Sequence, residues 1–412
     1  MSFESLGLEP RLLQGVHSMG YTDPTAIQRE AIPHILRGAD VVGVAQTGTG
    51  KTAAFVLPML QRTPTHKGVR ALVVTPTREL ALQIDEVVRG ASKHTPHRTA
   101  VVIGGVGMQP QIQKIRRGVD LVIACPGRLL DIHSRGAIDL SRVETLVLDE
   151  ADRMLDMGFL PDVRRILALL PERRQNLLFS ATMSKGVLDV IESTLHEPVR
   201  VETSPTTTPV ERIAQTVYPV GHTQKTDLLV ELLKRGEHSR TLVFTRTKHR
   251  ADRVSRQLDR KGVRAEAIHG GRSQAQRQRA LDAFKAGRSR VLVATDVVAR
   301  GIDVDEISHV VNYDMPNAAE DYVHRIGRTA RAGASGTAMS FLSPEEMDTL
   351  HEIEKVLGNT LVCEDLDGFV YGERVVPDPQ RVIRVGPKPS AANRSRGAKR
   401  GGRGRGGQRR SA

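Results

Sequence analysis

Short, uninterrupted apolar runs recur along this chain and constrain its fold more than any other feature. They fall at 41–44, 71–74, 99–103, 121–124, 145–148 and 177–179, with longer amphipathic stretches between them. A strand with one face in water alternates apolar and polar residues. A continuous run needs cover on both faces, as in a parallel sheet clad by helices. Residues 203–209 are polar, carry prolines at 205 and 209 and have no periodicity, which marks a linker. Beyond them the pattern restarts, with runs at 241–244, 265–268, 290–294 and 309–313. The expectation is an α/β protein with two domains in tandem, 1–203 and 211–372, a linker at 204–210 and a segment 373–412 of different character.

Two stretches of the first half carry chemistry. Ala45-Gln46-Thr47-Gly48-Thr49-Gly50-Lys51-Thr52 follows the run at 41–44 and opens an apolar helical stretch, the setting a phosphate-binding loop requires. Gly48 and Gly50 permit a tight turn that aims backbone N–H groups at phosphate oxygens, and the helix start adds a favourable dipole. Lys51 is expected to neutralise β- and γ-phosphate charge, and the Thr52 hydroxyl to ligate magnesium. The second stretch, Leu146-Val147-Leu148-Asp149-Glu150-Ala151-Asp152, ends an apolar run in carboxylates. A carboxylate there is costly unless it meets a cation. Asp149 is therefore expected to hold Mg2+, partly through water, and Glu150 to polarise the water that attacks the γ-phosphate. An acidic helix start satisfied by backbone amides is the plain alternative. The Lys51 loop earlier in the same half disfavours it.

The net charge of +13 is unevenly spread: residues 381–412 hold nine arginines, two lysines and no acid, which leaves +2 for everything else. An Arg/Gly-rich segment such as 400–407 cannot bury a core, so this tail is expected to be disordered. Its expected role is to track phosphate backbones rather than merely to solubilise. The two cysteines, Cys125 and Cys363, exclude a disulfide scaffold and cannot alone form a four-ligand zinc site. No run approaches the roughly 20 apolar residues of a membrane helix, and the first residues carry no basic-then-apolar leader. A cytoplasmic protein with no membrane partner is expected.

Asp149-Glu150-Ala151-Asp152 spells the motif that names the DEAD-box family of ATP-dependent RNA helicases, and further stretches resemble that family's signatures in their order. In the first half these are Pro76-Thr77-Arg78-Glu79-Leu80, Gly104-Gly105, Pro126-Gly127-Arg128 and Ser180-Ala181-Thr182. In the second half they are Val243-Phe244-Thr245-Arg246, Gln274-Ala275-Gln276-Arg277, Ala299-Arg300-Gly301-Ile302-Asp303 and His324-Arg325-Ile326-Gly327-Arg328-Thr329-Ala330-Arg331. The stretch from Gly20 to Gln28 resembles the family's adenine-reading Q motif, with Phe3 as its isolated upstream aromatic. Departures are few: Cys125 stands where Thr is usual, Ala26 where a second Pro is usual, and Ala330 where Gly is common. The short core with an Arg/Gly tail is similar to the bacterial RhlE-like branch.

The resemblance implies two tandem RecA-like domains with parallel sheets, ATP and Mg2+ as cofactors and RNA as partner. It implies that Gln28 reads adenine through an amide that both donates and accepts, and that Phe3 or Tyr21 stacks on the base. Residues 45–52 hold the phosphates and Asp303 the ribose hydroxyls. Arg328 and Arg331 resemble arginine fingers that stabilise charge on the transferring phosphoryl group. Asp152, Ser180 and Thr182 link the acidic motif to the domain interface, and His324 and Arg325 dock on that motif from the second domain. RNA contacts fall on Arg78, Gly105, Arg128, Arg246, Arg277 and Thr295, with 2′-hydroxyls separating RNA from DNA.

Only the first half carries a phosphate loop, so one ATP is expected in the cleft between halves, with ATP and RNA binding positively coupled. The expected activity is RNA-stimulated ATP hydrolysis with local unwinding of short duplexes or remodelling of RNA–protein complexes. Ribosome-assembly or RNA-decay proteins are the expected partners. An ATP-gated RNA clamp or assembly platform with incidental unwinding uses the same residues. A DNA-directed P-loop helicase is disfavoured because the motif set is that of the RNA family.

Overall fold

The computed structural model describes residues 2–45, 48–66, 68–203, 212–236, 240–299, 307–330 and 335–372. The expected linker 204–210 and tail 373–412 lie outside the described residues. The first sheet has seven strands: β1 (Val41–Val44), β2 (Ala71–Val74), β3 (Thr99–Val102), β4 (Leu121–Ala124), β5 (Thr145–Asp149), β6 (Gln175–Ser180) and β7 (Val199–Glu202). The second also has seven: β8 (Ile213–Pro219), β9 (Thr241–Phe244), β10 (Ala265–Ile268), β11 (Val291–Ala294), β12 (His309–Asn312), β13 (Gly336–Leu342) and β14 (Val362–Cys363). Their orders are β3-β4-β2-β5-β6-β1-β7 and β10-β11-β9-β12-β13-β8-β14. Lowering each label of the second sheet by seven reproduces the first. Every pairing is parallel.

The apolar runs form buried strands because both faces of each sheet are covered. Along the first sheet, Val73, Ile123, Val147 and Leu177 join one apolar cluster, and their neighbours Leu72, Val122, Leu146 and Leu178 join the other. That alternation is the two-residue period of a strand with a core on each side. The helices supply the cover through single apolar stripes. Arg78–Ala91 buries Leu80, Ile84, Val88 and Ala91, and Lys248–Arg260 buries Ala251, Val254 and Leu258. Four strands, β7, β8, β13 and β14, had no continuous apolar run to announce them. Among the described residues no helix is long and apolar enough to cross a membrane.

In parallel sheets of this kind the loops at the strands' carboxyl ends form the ligand edge. The 45–52 loop after β1, Arg78 after β2, Gly105 after β3, Arg128 after β4, Asp149 and Glu150 at the end of β5 and Ser180 at the end of β6 all share that edge.

Candidate functional site

The phosphate-loop candidates Ala45, Gly48, Thr49, Gly50, Lys51 and Thr52 fall between β1 and the helix Lys51–Arg62, whereas Gln46 and Thr47 lie outside the described residues. Gly48 and Gly50 have φ of 83° and 88°, the left-handed region that glycine enters without steric penalty. Lys51 Nζ donates to the Ala45 carbonyl at 2.6 Å, so its ammonium spans the loop. Across from it Asp149 is 2% exposed, and the Glu150 N–H donates to Asp149 Oδ1 at 3.0 Å. Burial pushes the Asp149 carboxyl up to about 7; Lys51 opposes that rise and Glu150 adds to it. A buried carboxylate held this high calls for more cation than one lysine supplies. With the Thr52 hydroxyl opening the adjacent helix, the oxygen donors fit a hard dication.

Glu150 sits at φ 53° and ψ 52°, a left-handed conformation rare for a side chain of this size. The buried Arg153 guanidinium, one helical turn on, donates to Glu150 Oε2 and fixes its carboxylate. Nothing in the sequence motif pointed to Arg153 beyond its spacing. Asp152 clasps the neighbouring turn: its Oδ2 accepts from the Ala181 N–H at 3.2 Å, the Thr182 N–H at 3.0 Å and the Thr182 hydroxyl at 3.0 Å. Ser180 Oγ donates to the Thr182 carbonyl at 2.7 Å. The acidic motif and the 180–182 turn thus move as one piece.

The Q-motif residues converge on the same loop. Gln28 Oε1 accepts from the Thr25 N–H at 2.9 Å, forming a capping box, and its Nε2 donates to the Gly50 carbonyl at 3.1 Å. Its amide keeps one lone pair and one N–H for a base edge. Phe3 and Tyr21 stack with ring centroids 6.4 Å apart. Phe3 is 1% exposed and belongs to the core, where it backs the half-buried Tyr21.

The RNA candidates of the first domain gather at one turn. Gly105 has φ 76°, and a Cβ there would come within 1.9 Å of Arg78 Nη1, so only glycine lets that guanidinium lie across the turn. Arg128 Nη1 donates to the Val106 carbonyl at 3.1 Å on its other side.

In the second domain the Arg246 guanidinium donates to Glu346 Oε1 at 2.9 Å with its side chain 41% exposed, and half-buried Thr295 closes β11. Three candidates hold partners within the protein here. Arg277, expected on RNA, is buried and salt-bridged to Glu79 of the first domain, where Gln274 Nε2 also donates at 3.1 Å. This contact ties the two domains together. Arg325, expected on the first domain's acidic motif, instead forks onto Asp296 at 2.6 and 2.8 Å and donates to the Asp314 carbonyl at 2.7 Å. A buried guanidinium takes the nearest carboxylate that satisfies both its arms. Arg328, 4% exposed, donates from its Nε to the carbonyl of half-buried His324 at 3.4 Å. Asp303 and Arg331 lie outside the described residues. Glu79 and Gln274 could have been found, since both sit inside recognised motifs; Glu346 and Asp296 gave no signal.

At the bridge, burial and the nearby Glu79 push the Cys125 thiol up to about 12 against the pull of Arg78 and Arg277, so it is a poor nucleophile. Ala330 has φ 55°, so the position where the family commonly has glycine is one where glycine is favoured.

Known proteins agree with this geometry. A family model described as DEAD/DEAH box helicase matches residues 25–190, and one described as Helicase conserved C-terminal domain matches residues 224–333. DEAD-box ATP-dependent RNA helicase CshA of Bacillus cereus is 45% identical over 355 residues, covering 86% of this chain and 68% of that protein. ATP-dependent RNA helicase DeaD of Mycobacterium tuberculosis is 46% identical over 362 residues, covering 87% of this chain and 64% of that protein. The solved structure of S. cerevisiae Dbp5 bound to RNA and ADP BeF3 matches with a TM-score of 0.79 at 33% identity, covering 89% of this chain and 96% of that one. The chain belongs to the DEAD-box family of ATP-dependent RNA helicases and is an RNA-stimulated ATP hydrolase.

Proposed function

We propose that this protein closes its two domains around one ATP and one RNA strand and uses hydrolysis to separate short duplexes or remodel RNA–protein complexes. The observation that carries this reading is the shared edge of the first sheet. The buried Lys51, Asp149 and Glu150 cluster and the Arg78, Gly105 and Arg128 turn lie along the same row of strand ends. Asp152 links that cluster to the 180–182 turn, so rearrangement at the nucleotide is felt along the edge.

The roles follow from what each group can do. Gln28 and Tyr21 orient the base, residues 45–52 cradle the phosphates, and Asp303 takes the ribose. Thr52 and Asp149 would hold Mg2+, which supplies charge neutralisation on the phosphates when bound. Glu150, oriented by Arg153, accepts a proton from the attacking water. Arg328 and Arg331 approach the phosphoryl group on closure, His324 and Arg325 stabilise the closed interface, and Arg246 and Thr295 extend the RNA track begun at Arg78. Arg277 acts through Glu79, as a brace that sets the spacing of the two RNA-facing surfaces, rather than on the strand itself. The domain limits 1–203 and 211–372, an RNA-tracking tail, RhlE-like placement, cytoplasmic location and ribosome-assembly or RNA-decay partners complete the proposal.

Strand separation of blunt-core RNA duplexes of increasing length tests it. ATP-dependent separation should be fast for short duplexes and fall steeply with length, because bending one strand melts only a few pairs. ATP-dependent RNA retention with no separation at any length would replace this reading with the ATP-gated clamp.

A further inference from the structure

The helix Lys248–Arg260 of the second domain carries a row of exposed arginines. On several other helices surface cations sit beside carboxylates of the same helix: Arg89 with Asp85 at 2.8 Å, Arg135 with Asp131 at 3.2 Å, Arg235 with Glu231 at 3.5 Å and Lys355 with Glu352 at 2.6 Å. In Lys248–Arg260 both acids turn to other partners. Asp252 accepts from His269 at 3.0 Å and Arg272 at 2.6 Å, and Asp259 from the Ala265 N–H at 3.0 Å. Arg253, Arg256 and Arg260 are left exposed with no carboxylate partner among the described residues; Arg256 Nε donates to the Asp252 backbone carbonyl at 3.1 Å.

Their spacing makes them one feature. Arg253, Arg256 and Arg260 step by three and four residues, a single stripe on a helix. It lies opposite the buried Ala251, Val254 and Leu258 and so faces straight into solvent. At 1.5 Å per residue the stripe is about 10 Å long. Its helix follows β9 and Arg246 in the chain, and Arg264, between this helix and β10, is also exposed. A merely solvated face mixes signs; an isolated run of arginines is the footprint of a polyanion.

We propose that this arginine stripe is a second RNA-binding track, which takes the phosphate backbone of RNA flanking the segment held at the motif face. The proposal rests on the functional reading above and adds a surface outside every family motif. Its contacts are to phosphates, so the track reads length and charge rather than sequence. Short RNA that fills only the motif face does not reach it.

The test uses the full chain and a triple variant, Arg253→Gln with Arg256→Gln and Arg260→Gln, which keeps good helix formers on an exposed face. Binding of single-stranded RNAs of about 6 and about 30 nucleotides is titrated at several salt concentrations, alongside RNA-stimulated hydrolysis. For the long RNA, affinity should fall about tenfold and the salt slope by about 2, at roughly 0.7 per lost phosphate contact. For the short RNA, affinity and maximal stimulation should be unchanged. A matched Lys triple variant should retain long-RNA affinity. Equal losses on both RNAs, or no loss on either, overturn the track, the latter leaving the stripe to an acidic protein. Wild type that prefers long RNA but shows no RNA-stimulated hydrolysis would instead sink the functional reading while leaving the track intact.

Discussion

The two domains are one topology used twice, and they differ in what fills the crook where the first strand meets its helix. The Ala45 N–H donates to the Ser180 carbonyl at 3.1 Å, and the Val220 N–H to the Leu342 carbonyl at 2.8 Å, so the two loops leave their sheets alike. Both helices then open on Lys-Thr, Lys51-Thr52 and Lys225-Thr226. The register extends the match. Leu148 pairs with Val74 and Asn312 with Phe244, so Tyr313 stands where Asp149 stands and Asp314 where Glu150 stands. Yet Lys225 is fully buried, 2.8 Å from Glu346 and 3.9 Å from Asp314, with its ammonium 6.0 Å over the Tyr313 ring. In the first domain the loop cation meets the Ala45 carbonyl and faces Asp149. The second satisfies the same cation internally, with a carboxylate of its own.

The difference is what the proposed single nucleotide site requires. Gly48 and Gly50 hold left-handed turns in the first loop, while residues 220–224 have a single glycine and a shorter path to the helix. Burial acts to raise the Glu346 pKa, but Lys225 and the hydrogen bonds from Lys225 and Ser343 outweigh it, so the carboxyl titrates below its ordinary 4.5. A depressed folded value means that its stabilising contribution is present above the ordinary value and is lost as pH falls through the lower one. The second domain should therefore lose this support only in acid, well outside the working range.

The largest effect that could break the comparison is at Lys51. Lys51→Ala should abolish hydrolysis, by about 10³-fold or more, and sharply weaken ATP binding, because the phosphates lose a preorganised cation. Steady-state turnover at saturating ATP checks it, and near-normal turnover would mean that the first loop is not the active one. Lys225→Met should do something different. Removing one partner of a buried ion pair costs about 3–5 kcal/mol, and here the loss falls on the second domain's stability. Amide hydrogen exchange in β8, β12 and β13 should accelerate while ATP affinity is retained, and adding Glu346→Gln should restore part of the protection. Should Lys225→Met lose ATP affinity with native exchange rates, the two lysines would be functional equivalents and the contrast would collapse.

The first domain was far more legible in the sequence than the second, for physical reasons. Strands buried on both faces declare themselves as apolar runs, and β1 to β6 did so. β8 alternates burial and ends in Pro219, and β13 carries Ser340, whose hydroxyl is matched inside the core by Asn312 at 3.0 Å. Buried polar pairs of this kind are invisible until the partner strand is known. The same holds for the site. Lys51, Asp149 and Gly105 are fixed by local chain geometry and could be read from it. Arg277 and Arg325 pair with Glu79 and Asp296, which are distant in sequence, so their motif positions alone could not say where the guanidinium goes. Lys225 was readable in principle, as the echo of Lys-Thr at a helix start, but its capture by Glu346 was not.

The smallest effect sharpens the comparison at the adenine end, where the first loop has a tie that the second lacks. Gln28 holds Gly50 from outside the loop, and a Cβ on Gly50 would come within 2.5 Å of Gln28 Nε2, so the fit is close. Gln28→Ala removes two things: the remaining donor and acceptor for a base edge, and the tie on Gly50. The tie and the capping box are worth about 1 kcal/mol and should weaken every nucleotide alike. The base edge acts selectively, because a pocket with polar groups set for adenine rejects guanine mainly by leaving those groups unpaired. The preference for ATP over GTP, measured as the ratio of kcat/KM values, should therefore fall by about tenfold, on top of a smaller uniform loss. Equal declines for both nucleotides would reduce Gln28 to a structural tie. Wild type that already uses GTP as well as ATP would remove the adenine-reading role and leave the loop, not the base, as the whole difference between the two domains.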